Sequence, residues 1–159
     1  DAITAYILTG INYPPNLQYN PDGKLTEAQL RGKAVFERAK DNIGNVIPEN
    51  NRCITCHPPP YYTNLKLANV GTLASSDDTI KFDTPHLNNI YASPPYLHDG
   101  RAATLEEIWT LYGKEDKHGM ANDMNKNQLN DLVEYLKSLR SPEYEHSSTK
   151  IHQVSLKSN

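Results

Sequence analysis

The stretch Cys53-Ile54-Thr55-Cys56-His57 decides how this chain folds. Its spacing sets two thiols three positions apart on one helical turn, with an imidazole immediately after them. Thiols so placed can each add across a vinyl group of a porphyrin, and His57 then offers its ring to the iron as proximal ligand. Cys53 and Cys56 are the only cysteines, so both are used and no disulfide is left to form. A zinc site would need two further ligands, and a second Cys-x-x-Cys pair is absent from the sequence. A thioredoxin-like redox pair would sit in a βαβ pattern, and nothing here alternates that way. The motif therefore predicts one haem c, covalent through Cys53 and Cys56.

The rest of the composition agrees with a small chain built around a prosthetic group. With 159 residues, one domain plus extra segments is the expectation. Apolar residues make up only 37%, and eleven prolines point to long irregular stretches. A buried porphyrin would supply the apolar volume that the side chains lack. A net charge of −3 argues against nucleic acid or an anionic membrane as the main partner. No apolar run approaches the length of a membrane span. Haem is joined to such motifs outside the cytoplasm, which predicts a periplasmic or otherwise exported protein. The chain opens Asp1-Ala2-Ile3 without a leader pattern, so it is expected to be trimmed or one piece of a longer protein.

The helices follow from periodicity. Residues 1–9 read D-A-I-T-A-Y-I-L-T and residues 130–138 read N-D-L-V-E-Y-L-K-S, pairing Ile3 with Leu132, Tyr6 with Tyr135 and Ile7 with Leu136. This weak repeat predicts that residues 1–10 are the closing helix of a preceding domain, followed by a linker over 11–23 through Pro14-Pro15 and Asp22-Gly23. Thr26 and Gln29 form a capping box for a helix carrying Leu30, Ala34, Val35, Phe36 and Ala39. Gly32 lies on the Phe36 face and would let a second helix cross closely. Its natural partner is the last helix, Gln128 to Leu139, with Leu132, Val133, Tyr135, Leu136 and Leu139 inward, so that Gly32 meets Tyr135. Crossing first and last helices with the haem motif after the first predict an all-α, class I cytochrome c-like domain over 24–140. Residues 141–159 read as a polar tail.

Between Cys56 and the last helix the chain is long and irregular, through His57-Pro58-Pro59-Pro60, Val70-Gly71-Thr72 and Ser75-Ser76-Asp77-Asp78. A shorter helix is predicted from Thr104, capped by Glu107, carrying Leu105, Ile108, Trp109 and Leu111 and ending at Gly113. Trp109, the only tryptophan, is expected to pack between helices.

Two linked motifs carry a resemblance. Phe82-Asp83-Thr84-Pro85-His86-Leu87-Asn88-Asn89, and then Pro94-Pro95-Tyr96-Leu97-His98-Asp99-Gly100-Arg101-Ala102-Ala103-Thr104-Leu105-Glu106-Glu107, resemble the bacterial di-haem cytochrome c peroxidase and MauG superfamily. The resemblance covers roughly residues 24–140, the C-terminal haem domain of those proteins. It implies an exported, mostly helical fold and a second haem domain upstream.

The same resemblance frames the sixth iron ligand. Tyr112 falls where peroxidases of the superfamily place a methionine and related maturation enzymes an axial tyrosine. Asp116-Lys117-His118-Gly119-Met120 occupies the loop before the last helix, where class I cytochromes present their distal ligand. His118 would give a bis-histidine iron and Met120 a higher-potential His/Met couple. His118 leads, with Tyr112 and Met120 as alternatives, and Met124 is weaker. Arg101 could neutralise a haem propionate. His98 is expected to fix its loop by hydrogen bonding, and His146 and His152 receive no role.

Two function classes stay open. The leading one is electron transfer between a redox partner protein, or a second haem domain, and a catalytic centre elsewhere. The alternative is a peroxidase-type haem reducing hydrogen peroxide, which needs an open distal position and an acid–base group above the iron. No unambiguous distal acid can be read from the sequence, so no catalytic residue is assigned.

Overall fold

The computed structural model describes residues 1–9 and 14–141, without the side chains of residues 8, 9 and 114. It is mostly helical, with α1 (Ala2–Thr9), α2 (Glu27–Glu37), α3 (Cys53–Cys56), α4 (Glu107–Thr110) and α5 (Lys126–Ser138). Short 3-10 turns interrupt the loops at Glu49–Asn51, Ile90–Ala92 and Lys114–Asp116. A small sheet departs from the all-α expectation. Strands β1 (Leu67–Ala68) and β2 (Phe82–Asp83) pair antiparallel, Leu67 opposite Asp83 and Ala68 opposite Phe82. Two residues per strand are too few to carry a sequence period, which is why the alternation was invisible.

Local chemistry starts and stops the two long helices. Thr26 accepts from the Gln29 amide while the Gln29 side chain accepts from the Thr26 amide, closing the box that opens α2. Asn125 and Gln128 repeat the device at α5, which begins two residues before the expected start. Along α5 the inward positions fall at helical spacing, and Leu132, Val133, Tyr135, Leu136 and Leu139 are all buried. Each such side chain contributes about 1.5–3 kcal/mol by leaving water. They pack with Phe36, Leu105 and Ile108 in one core. Along α2 the pattern is weaker, because Leu30 and Ala34 face solvent and Ala39 lies beyond the helix end. Gly32 and Tyr135 do meet at the crossing of α2 and α5.

The predicted helix from Thr104 to Gly113 shrinks to the single turn of α4. Thr104 Oγ1 accepts from the Glu107 amide and a Glu107 carboxylate oxygen accepts from the Ala103 amide, so the capping pair holds the start. Leu111 is exposed beyond the turn, so nothing apolar extends it.

Residues 14–20 are anchored to the far end of the molecule. Asn16, fully buried, donates from Nδ2 to the Lys137 carbonyl at 2.6 Å, and Asn20 Nδ2 donates to the Ser138 carbonyl at 3.1 Å. The Asn89 amide N–H reaches the Leu139 carbonyl at 2.9 Å, while its side chain holds the Pro14 carbonyl. These donors satisfy the carbonyls that the end of α5 would otherwise leave open. Residue 10 at the end of the predicted first helix, residues 11–13 of the predicted linker, and 142–159 of the predicted tail with His146 and His152, lie outside the described residues.

Candidate functional site

The Cys53–Cys56 turn hangs between the end of α2 and a long loop, and its last carbonyl-facing bond runs from the His57 amide to Cys53 O at 2.9 Å. Burial pushes the Cys53 thiol up to about 11 and also raises Cys56, so both sulfurs are held as neutral thiols. Among the described residues no three His, Cys, Asp or Glu side chains gather as a metal cluster.

His57 Nδ1 lies 2.8 Å from the Tyr62 carbonyl. A carbonyl only accepts, so the proton sits on Nδ1 and Nε2 carries the free lone pair a metal requires. Burial lowers the basicity of the ring, while the Tyr62 and Pro85 carbonyls oppose that shift.

Beside this turn opens a cavity of about 1090 Å³. Cys53, Cys56 and His57 line one part of it, and His118 lines it as well. Phe36, Ile108, Trp109, Leu132 and Leu136 supply apolar wall from α2, α4 and α5. Burial pushes the His118 imidazole down to about 4, with the nearby His57 adding to the effect, so the ring is neutral. Its Nδ1 is buried without a hydrogen-bond partner. A buried neutral imidazole with an unpartnered nitrogen, two thiols, a second oriented imidazole and an apolar chamber together fit an iron porphyrin.

The other ligand candidates lie elsewhere. Tyr112 donates its hydroxyl to the Arg101 carbonyl at 3.0 Å and is not part of the cavity lining. Met120 is also outside the lining, with its amide on Asn51 O and its carbonyl on Arg38. Met124 packs against the core. Arg101 pairs with Asp99, Nε to Oδ2 at 2.7 Å, and lies 5.7 Å from the Tyr112 ring centroid, again away from the cavity lining. Arg52, Lys66, Lys81 and Lys117 are the cationic side chains that do line it.

His98 is tied down from both sides. Its Nε2 lies 2.9 Å from an Asp77 carboxylate oxygen, its Nδ1 lies 3.3 Å from Thr72 Oγ1, and Phe82 stacks on the ring at 3.6 Å. The loop-fixing role expected from the sequence is the one this geometry serves. The contributions of Asp77, Thr72 and Phe82 carried no sequence signal, because they are long-range pairings. Arg52 could have been noticed as the cation immediately before Cys53.

No family model matches the chain. It is 32% identical over 162 residues to hydrazine synthase subunit gamma of Kuenenia stuttgartiensis, an alignment spanning 76% of this chain and 43% of that subunit. It is 33% identical over 81 residues to cytochrome c551 peroxidase of Nitrosomonas europaea, over 50% of this chain and 23% of that protein. The chain thus spans less than half the length of these curated relatives. Among solved structures, Kuenenia stuttgartiensis hydrazine synthase under 20 bar xenon superposes with a TM-score of 0.68 at 28% identity, covering 87% of this chain and 54% of that one. A MauG-like protein associated with microbial copper homeostasis shares the fold, with a TM-score of 0.57 at 22% identity over 89% and 52% of the two chains. With the Cys-x-x-Cys-His turn beside its cavity, this chain belongs to the di-haem cytochrome c peroxidase/MauG superfamily.

Proposed function

We propose that the chain is an electron-transfer c-type cytochrome unit, part of a larger exported redox protein. One haem is joined through Cys53 and Cys56, with His57 as proximal and His118 as distal ligand. The observation that carries this reading is that His57 and His118 line one cavity of about 1090 Å³, while Tyr112 and Met120 lie outside its lining. Such a haem supplies a one-electron ferric/ferrous couple.

The residues around it do the rest. The Tyr62 carbonyl on Nδ1 fixes the His57 ring, and Phe36, Ile108, Leu132 and Leu136 offer a porphyrin an apolar wall. Arg52, Lys66 and Lys81 are the cations available to the haem carboxylates, in preference to Arg101, whose guanidinium is already engaged by Asp99. A peroxide-cleaving site would need an open position at the iron and an available histidine or carboxylate beside it. His98 has both ring nitrogens engaged, by Asp77 and Thr72. His118 serves as ligand. The peroxidase reading is kept as the alternative by the likeness to cytochrome c551 peroxidase over half of the chain.

Helix α1 fits the same proposal as the closing helix of a preceding haem domain, the redox partner in question. Ile3, Tyr6 and Ile7 are 71%, 64% and 56% exposed, whereas their counterparts Leu132, Tyr135 and Leu136 are 1%, 3% and 5% exposed against α2.

The test is the ferric electron paramagnetic resonance and visible–near-infrared spectrum, with and without peroxide, in the parent and in His118→Ala, Tyr112→Phe and Met120→Leu. A low-spin bis-histidine signal, indifferent to peroxide and lost only in His118→Ala, is expected. A high-spin parent that reacts with peroxide would replace this reading with the peroxidase one.

A further inference from the structure

The loop from Gly113 to Asn125 is built in a way that bare connectivity does not require. Glu115 and Asp116 both adopt positive φ, 58° and 54°, a region costly for residues with a Cβ. The Asp116 carboxylate holds the turn by accepting from the Ala121 and Asn122 amides, each at 2.8 Å. Three backbone groups around His118 are then stitched to the body of the domain. The His118 carbonyl accepts from Trp109 Nε1 at 3.1 Å. The Met120 amide donates to the Asn51 carbonyl at 2.8 Å, two residues before Cys53. The Met120 carbonyl accepts from Arg38 Nη2 at 2.8 Å, and the Arg38 guanidinium is itself held by both oxygens of Asp123 at 2.9 and 2.6 Å.

Strained backbone persists only where its surroundings over-determine it, and here the surroundings are donors from Arg38, just past α2, and Trp109 of α4, with an acceptor from the segment leading to the thiols. Trp109 acts on the candidate ligand directly, because its indole N–H bonds the carbonyl of His118 itself and Trp109 lines the same cavity.

We propose that Trp109 and Arg38 are positioning residues that clamp the His118 loop shut, and so set how slowly an external ligand can reach the iron. This rests on the reading of His118 as distal ligand. In a six-coordinate haem an incoming anion binds only after the distal imidazole leaves, and when the loop swings to carry His118 away, its carbonyl and that of Met120 must give up the Trp109 and Arg38 donors. The clamp thereby favours fast outer-sphere electron exchange, which needs no movement, over chemistry at the iron, which does. The geometry makes both hydrogen bonds part of the opening step, so their loss raises the fraction of time the loop stands open.

The experiment measures cyanide binding to the ferric holoprotein by stopped flow in the parent, Trp109→Phe and Arg38→Gln. Trp109→Phe keeps an aromatic ring and removes the donor. Leu129→Ala is the control, since Leu129 packs on the core and takes part in none of the clamp's hydrogen bonds. Each clamp variant is expected to keep the low-spin ferric spectrum and to bind cyanide about tenfold faster, a factor equivalent to about 1.4 kcal/mol. Leu129→Ala is expected to melt earlier with no change in that rate. Unchanged cyanide rates in folded clamp variants with intact low-spin spectra overturn the clamp and leave His118 ligation standing. Equal acceleration in Leu129→Ala also overturns it, because the effect then follows global stability. A parent spectrum unaltered by His118→Ala removes the ligand assignment and the clamp together. If one clamp variant fails to fold, the other decides by the same criteria.

Discussion

Gly32 of α2 lies against the carbonyl oxygen of Asp131 in α5, so closely that a methyl group at Gly32 would overlap that oxygen and come within 2.8 Å of Tyr135 Cβ. Backbone meets backbone at this point, and neither partner is the flexible end of a side chain. The crossing of the two long helices is therefore set by the absence of one carbon atom.

Gly32→Ala is expected to destabilise the protein by roughly 2 kcal/mol. Alanine gains about 1 kcal/mol of helix propensity, but overpacking at a rigid contact costs up to about 3 kcal/mol. Chemical denaturation of the holoprotein checks the sign, and a variant as stable as the parent would refute the close crossing.

Asn16→Ala should cost roughly 2 kcal/mol and Asn20→Ala about 1 kcal/mol. Each deletes an amide that meets an α5 carbonyl, and Asn16 also accepts from the Tyr19 amide. The same denaturation experiment reads both. Losses below a few tenths of a kcal/mol would mean that water replaces these donors without penalty.

Asp77 links stability to acid. The Ala74 amide at 2.6 Å, opposed in part by burial and assisted by His98, holds its carboxyl below the ordinary value of 3.8. A carboxylate depressed in the folded state stabilises the fold above its unfolded value, and that contribution is lost as pH falls through the lowered one. Asp77→Asn should therefore melt earlier than the parent near neutral pH, with the gap closing below about pH 4. A gap that stays constant down to about pH 2.5 would show that Asp77 acts without its charge.

The attachment chemistry can be tested on denatured protein. Cys53→Ser and Cys56→Ser should each retain haem through acid–acetone extraction by the remaining thioether, and the double variant should release it. Retention in the double variant would exclude thioether attachment at these positions.

How much of this could be read beforehand depended on whether the deciding contacts were local. The Thr26–Gln29 box, the Thr104–Glu107 pair and the 132–133–135–136–139 face each lie within eight residues of chain, and all three are present. Gly32 against Tyr135 was legible because a glycine on a helix's apolar face has few other uses. The length of the Trp109 helix was overread, since Leu111 continued the period without having anything to pack on. On the candidate site, Cys53, Cys56 and His57 could be named from spacing alone. Which of Tyr112, His118 and Met120 lines the cavity could not, because it depends on how the chain around a loop with two non-glycine positive-φ residues is folded. Arg38 and Asp123 are 85 positions apart, and no local pattern ties them.

The amide clasp at the end of α5 has a mechanical consequence. Residues 14–20, leading into the fold, lie beside residues 137–139, leading out of it. Tension applied through both flanks would load the asparagine bonds one after another, like a zip, instead of shearing the α2–α5 crossing all at once. Under pulling, the leading strap should peel away at low force while the cavity beside the Cys53–His57 turn keeps its walls.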